Sequence, residues 1–285
     1  RKVMEKYAIV IDSTVYLTKE MIEKYNISVV PLNVVDGLDT YSETSIDNEF
    51  IWKKQDQGTR WKTSQPAPGD FLETFKRLRS EGAEDIFCVL LSKNISGTYQ
   101  SALLAKNMMD NPERIHLFDT MLCAYGTEMI AIELLDMYDQ HKTTEDILKR
   151  INHIISTSHQ MFTVENLFSL TKGGRLSVAK AAIGTVLRVK PVVEVIDGKL
   201  ELVKSERTFK KIHNYFIESI RKSLIGQTSV TFYVTSQNSF ESANTIKEEL
   251  LEAFPGSKLT FTEYLGPVFS IHIGKKGYGI SWFTE

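Results

Sequence analysis

Ile86-Phe87-Cys88-Val89-Leu90-Leu91-Ser92-Lys93-Asn94-Ile95-Ser96-Gly97-Thr98 is the stretch whose reading decides the fold. Six consecutive apolar residues without alternation describe a strand covered on both faces, the situation of a parallel sheet between helical layers. The polar loop 92–98 then opens a helix expected over 99–108, and loops of this kind lie at the carboxyl ends of strands, where α/β sheets bind ligands. The same unit recurs on either side. Residues 7–11 read as a strand, Asp12-Ser13-Thr14 as a polar turn, 18–25 as a short helix and 27–35 as a returning strand. Ser45 is placed to cap a helix through Phe50, Ile51 and Lys54. Pro68 sits near the start of a helix carrying Phe71, Leu72, Phe75 and Leu78 at helical spacing, with Gly82 at its exit. A strand over 115–118 and helices over 127–138 and 144–156 complete an α/β domain with a mostly parallel, doubly wound sheet.

Beyond residue 158 the rhythm changes. A strand over 162–164 leads to a short helix ending at Gly173-Gly174, and Ser177 is a cap for a helix over 179–189. Residues 191–195 and 200–203 flank Asp197-Gly198, a pair suited to the positive φ angles of a tight hairpin. Helices over 209–224 and 240–254 alternate with strands over 230–235 and 259–264, and 266–283 reads equally as a short helix plus strand or as two strands. The expected division is 1–158 and 159–285, the latter a second α/β domain with a mixed sheet.

Composition narrows the function. With 34 Lys and Arg against 36 Asp and Glu, the net charge of −2 gives no positive field for a general nucleic-acid binder. The apolar runs fall well short of the roughly 20 residues that span a bilayer, so a cytoplasmic location with no stable membrane insertion is the expectation, transient membrane contact remaining open. Cys88 and Cys123, both in apolar surroundings, suit buried thiols better than a disulfide framework. The histidines form no ligand-spaced cluster, so no metal is expected. Neither a Walker loop, nor a dinucleotide fingerprint, nor a Gly-x-Ser-x-Gly elbow is present, and no catalytic residue is assigned.

Two loops carry hydroxyls at helix starts. Thr63-Ser64-Gln65-Pro66 and Asn94 to Thr98 could each point side-chain and backbone donors at one anion, with Gly97 permitting close approach; ordinary helix capping explains each loop equally well. Ser13 and Thr14 could line the same crevice, whereas Asp12 would repel a carboxylate directly and could instead tie down loop N–H groups. Arg175, between Gly174 and Leu176, suits either a partner's phosphate or a carboxylate of its own chain. His272 reads as a buried, backbone-bonded histidine or as a donor to a ligand anion.

In order along the chain, Ile9-Val10-Ile11-Asp12-Ser13-Thr14, Thr63-Ser64-Gln65-Pro66, Ser96-Gly97-Thr98-Tyr99-Gln100-Ser101-Ala102, Lys172-Gly173-Gly174-Arg175-Leu176, Lys190-Pro191 and Ile271-His272-Ile273-Gly274 resemble the DegV family of bacterial fatty-acid-binding proteins. The resemblance implies a long-chain fatty acid clasped between two domains as ligand, with no cofactor. Its carboxylate would be held at Thr63, Ser64 and Ser96, with His272 nearby. It further implies a role as the non-catalytic, acyl-binding subunit of a two-component fatty acid kinase, in which a separate ATP-binding subunit makes the acyl phosphate for phospholipid metabolism. Arg175 and Arg207 would then lie near that partner or the phosphate. A stand-alone enzyme acting on an acyl ester or acyl phosphate, and a lipid carrier or sensor without a kinase, are the alternatives. One departure stands out: the family's terminal Gly-Pro-Gly is Gly274-Lys275-Lys276-Gly277 here, which adds charge beside the expected carboxylate end.

Overall fold

The computed structural model describes residues 6–165, 167–176 and 189–285. The expected Ser177 cap and most of the helix after it fall in 177–188, outside the described residues. Strands β1 (Tyr7–Asp12), β2 (Ser28–Val30), β6 (Asp85–Leu90) and β7 (Ile115–Asp119) form a parallel sheet in the order β2-β1-β6-β7. Every residue of β6 is buried, as its unbroken apolar run requires. One face is covered by α3 (Pro68–Ser80) and α4 (Thr98–Asn107), through Phe71, Phe75, Leu78, Ala102 and Ala105.

Strands β8 (His159–Val164), β9 (Lys190–Ile196), β10 (Lys199–Glu206), β11 (Val230–Gln237), β12 (Lys258–Thr262) and β13 (Gly277–Thr284) make a mixed sheet, ordered β10-β9-β8-β13-β11-β12. Only β11 and β12 pair in parallel; the other neighbours are antiparallel. Its outer face carries α8 (Phe209–Leu224) and α9 (Phe240–Ala253). On α8, Ile212, Phe216, Ile220 and Leu224 recur every fourth residue and are buried, and Thr208 caps the first turn by accepting from the Lys211 N–H.

Between the two sheets lie α5 (Tyr125–Asp139) and α6 (Thr144–Thr157). One hydrophobic cluster runs through this layer, joining Ile11, Phe87 and Val89 of the parallel sheet to Phe162, Val193 and Tyr233 of the mixed sheet by way of Ile130, Leu134 and Ile151. At ~25 cal/mol per Å² of apolar area removed from water, this shared layer is a main stabilising contact between the lobes. The hairpin at Asp197-Gly198 forms as expected, with φ of 49° and 74°.

Two local expectations need correction. Residues 27–35 are not one strand: Pro31, with no N–H to donate, separates β2 from β3 (Asn33–Asp36). β3 then turns away to pair with β4 (Asp39–Ser42) and β5 (Lys62–Ser64) in a small antiparallel sheet, so Thr63 and Ser64 lie on a strand, opposite Val34 and Asn33, rather than on a free loop. Ser45 does not cap α2 (Asn48–Asp56). Asp47 does, its Oδ1 accepting from the Phe50 N–H at 2.8 Å, because Ile46 is extended and the helix begins only after it. The small sheet and α2 pack through Leu32, Val34 and Ile51 onto Val268 of α10 (Pro267–Ile273). That helix and β13 resolve the terminal ambiguity in favour of helix plus strand.

Candidate functional site

The carboxyl ends of β1 and β6, the small sheet and α10 surround a cavity of about 450 Å³, within the usual range for a small-ligand site of roughly 300–1,000 Å³. Both lobes line it. Thr63, Ser64, Gln65, Asn94, Ser96 and His272 supply polar groups, while Leu32, Leu91, Cys123, Ala124, Leu170, Leu200 and Phe269 supply apolar wall. The Asp197-Gly198 tip is tied to the loop after β6: the Ser92 hydroxyl donates to the Gly198 carbonyl at 2.7 Å and the Asn94 amide to the Asp197 carbonyl at 2.8 Å.

Thr63 Oγ1 lies 3.1 Å from His272 Nε2. His272 Nδ1 is buried without a hydrogen-bond partner among the described residues. A proton on Nδ1 would therefore be a buried donor with nothing to receive it, so the proton belongs on Nε2, which donates to Thr63 Oγ1. Burial, then the Arg175 guanidinium, lower the His272 pKa from 6.5 to about 4, which keeps the ring neutral around pH 7. With its oxygen accepting from His272, Thr63 has its own hydroxyl proton left for the cavity.

Ser96 is arranged similarly. The Thr98 N–H donates to Ser96 Oγ at 3.2 Å, and the two hydroxyl oxygens are 2.8 Å apart. Thr98 is fully buried, so its hydroxyl proton is best satisfied by Ser96 Oγ, leaving the Ser96 proton free to turn to the cavity. Two polarised hydroxyl donors thus border one space without a full positive charge on either. Gly97 leaves room for the Gln65 amide, which a Cβ at that position would have to push aside. Gln65, part of the Thr63-Ser64-Gln65-Pro66 motif, was not singled out by the sequence reading although it lines the cavity.

Other expected residues have different duties. Ser13 does not border the cavity: its hydroxyl donates to Glu43 Oε1 and accepts from the Leu32 N–H. Thr98 is likewise behind Ser96 rather than on the cavity wall. Thr14 borders the cavity, but its hydroxyl proton goes to Asp12, whose carboxylate also accepts from the Thr14 and Leu91 N–H groups. Asp12 thereby ties down loops instead of facing a ligand, and burial raises its pKa to about 6 against those hydrogen bonds. Asn94 spends its amide on the hairpin. Arg175 borders the cavity and donates to the Gly173 carbonyl at 2.7 Å, with no carboxylate among the described residues paired to it. Arg207 is exposed at the exit of β10 and borders neither this cavity nor its neighbour.

That neighbour is a cavity of about 790 Å³ sharing Thr63, Arg175 and His272 with the first. Its described lining adds Arg60, Lys62 and Lys172 and contains no carboxylate. The Thr63–His272 pair therefore stands between a cavity whose wall is mostly apolar, with Lys93 and Arg175 on it, and a more strongly cationic one. Gly173 makes room for the pair, since a Cβ there would lie 2.5 Å from His272 Nδ1. Gly173→Ala is expected to displace the imidazole towards solvent and bring its pKa back towards 6.5. NMR titration of the ring checks this; an unchanged value near 4 would show that the space is not needed.

Among the described residues, no group of three or more His, Cys, Asp or Glu could hold a metal ion, and no helix is long and apolar enough to cross a membrane. Cys88 and Cys123 are buried free thiols. The fold and the two-sided cavity define a two-lobed α/β ligand-binding protein. The chain belongs to the DegV family: the family model, described as an uncharacterised protein family, matches residues 6–285. It is 32% identical over 286 residues to a DegV domain-containing protein of Halalkalibacterium halodurans, covering 99% of this chain and 100% of the relative. A DegV-family protein from Thermus thermophilus, described for its fatty acid binding, superposes with a TM-score of 0.88 at 26% identity, covering 98% of this chain and 100% of that one. A stearic-acid-binding protein from Eubacterium ventriosum superposes with a TM-score of 0.85 at 26% identity, covering 98% of each chain.

Proposed function

We propose that this chain binds a long-chain fatty acid between its lobes and presents the carboxylate to a separate ATP-dependent kinase subunit, which converts it to an acyl phosphate. The observation that carries the binding reading is the pair of polarised hydroxyls, Thr63 and Ser96, set on a cavity whose remaining wall is mostly apolar. Each methylene removed from water contributes ~0.8 kcal/mol, so the tail supplies most of the affinity and the hydroxyls fix the head. Ser64 and Gln65 complete the head-group rim, and His272 acts through Thr63. In this reading residues 1–158 bring the head-group loops, and residues 159–285 cover the acyl chain and add His272 and Arg175. The fatty acid binding described for the Thermus thermophilus and Eubacterium ventriosum proteins supports it.

The kinase half rests on the cationic cavity beyond the Thr63–His272 pair, whose Arg60, Lys62, Lys172 and Arg175 would offset the charge of an arriving phosphoryl group. Arg207, away from both cavities, would serve only as an outlying docking contact. The transfer moves the terminal phosphoryl of ATP onto a carboxylate oxygen and releases ADP, and this chain contributes positioning alone. A cytoplasmic location is part of the same proposal. Incubating the fatty-acid-loaded chain with ATP and an ATP-binding fatty acid kinase subunit, then trapping with hydroxylamine, should give an acyl hydroxamate only when both proteins are present. Hydroxamate from this chain and ATP alone would make it an enzyme in its own right, and none from the complete mixture would leave a carrier or sensor.

A further inference from the structure

α10 begins without a capping side chain of its own. Gly266 precedes it, Pro267 has no N–H, and the first donors are the backbone N–H groups of Val268 and Phe269. Both are received by side chains more than two hundred residues away. The Val268 N–H donates to Glu43 Oε2 at 2.7 Å, and the Phe269 N–H donates to Tyr16 Oη at 3.1 Å. The Tyr16 hydroxyl donates in turn to Glu43 Oε2 at 2.8 Å, and the Ser13 hydroxyl to Oε1 at 2.5 Å. Glu43 is only 3% exposed, and no Lys, Arg or His among the described residues pairs with it.

Burying a carboxylate without a cation is expensive, and here three donors offset the cost in one defined geometry. That geometry reaches both ends of the Thr63–His272 hydrogen bond. Towards His272 it runs through α10. Towards Thr63 it runs through Leu32, whose carbonyl accepts from the Glu43 N–H and whose N–H donates to Ser13, and then through Val34 of β3, paired with Thr63 of β5.

We infer that Glu43 is a positioning residue for the head-group site: by capping α10 from the opposite lobe, it sets His272 against Thr63 and so fixes the hydroxyl that receives the ligand's carboxylate. The inference rests on the fatty-acid reading above. Its test compares uptake of a C18 fatty acid with uptake of the corresponding methyl ester, which has the same tail and no carboxylate.

In the wild-type chain the acid should be preferred. Glu43→Ala should lower the affinity for the acid about tenfold and leave the ester nearly unchanged. Glu43→Gln should restore the preference, because its amide oxygen can accept from Val268 and Tyr16 while its NH₂ donates to Ser13. Equal losses for acid and ester in Glu43→Ala would mark a purely structural role and overturn the inference, as would an undiminished preference. Should Glu43→Ala fail to fold, Tyr16→Phe, which removes the Phe269 cap and one donor to Glu43, must show the same acid-selective loss, and an unchanged preference there overturns it. A wild-type chain that takes up neither ligand removes the fatty-acid reading itself, and the inference with it; a wild-type preference that survives in the variants removes the inference alone.

Discussion

The double variant Thr63→Ala/Ser96→Ala is expected to bind a long-chain fatty acid about a hundredfold more weakly than the wild type while keeping its fold. Each hydroxyl is a donor to a charged group, worth roughly 1.5–3 kcal/mol alone; because both face one carboxylate their losses overlap, and about 2.7 kcal/mol in total corresponds to two factors of ten. Ser96→Ala leaves the buried Thr98 hydroxyl and N–H without their shared acceptor, behind the cavity wall. Thr63 is the more informative half, because its removal also strands Nε2 of His272. The single variants should therefore not add: Thr63→Ala is expected to cost more than Ser96→Ala, and the pair less than their sum if both bind the same carboxylate. Affinity measured with a fluorescent fatty acid, alongside urea unfolding to confirm the fold, checks this. An affinity that moves less than about threefold in the double variant would place the head group elsewhere.

The second large effect concerns stability. Glu128 lies on α5 between the two sheets, 2% exposed, with Oε2 lacking any partner among the described residues, and burial alone raises its pKa from 4.5 to about 8. A carboxyl whose folded pKa lies above its unfolded value favours the folded state most below pH 4.5, and this contribution is lost as pH rises through about 8. The interval sets a ceiling of about 5 kcal/mol, and relaxation around the charge should reduce it to ~3 kcal/mol. Glu128→Gln removes the titration. Its unfolding free energy is expected to approach that of the wild type near pH 5 and to exceed it by ~3 kcal/mol near pH 9. Asp12 and Glu43, with pKa values raised to about 6 and about 7, shift both proteins alike, so the difference isolates Glu128. Parallel pH profiles for the two proteins would show that the Glu128 carboxylate finds a partner.

What could be read before the structure was what local pattern determines. The run from Ile86 to Leu91 required a strand with both faces covered, the four-residue spacing from Ile212 to Leu224 required an amphipathic helix, and Asp197-Gly198 required a tight turn. The small sheet was not legible because β5 is three residues long and pairs with Val34, 29 positions earlier, across an intervening helix. The placement of β13 in the middle of the mixed sheet was hidden for a related reason, since strand order is set by packing of the whole sheet.

The cavity was legible as a set of hydroxyls, but their duties were not. Ser13, Thr14, Ser96 and Thr98 look alike in sequence. Only distant or buried partners distinguish them: Glu43 takes the proton of Ser13, Asp12 takes that of Thr14, and the buried Thr98 stands behind Ser96. Glu43 itself lies in the polar stretch Thr40 to Asp47, where nothing local marks a carboxylate that will be buried. Arg60 and Lys62 gave no signal either, because a basic cavity exists only once β5 is set beside α7 (Leu167–Lys172).

The most direct test of the central claim is mass spectrometry of the small molecules released by organic extraction from the freshly purified wild-type chain. A long-chain fatty acid at close to one equivalent per chain, much reduced in the Thr63→Ala/Ser96→Ala variant, is the result expected if the cavity is an acyl site with its head at those hydroxyls. An extract free of fatty acid, from a chain that also takes up none when it is supplied, would contradict it.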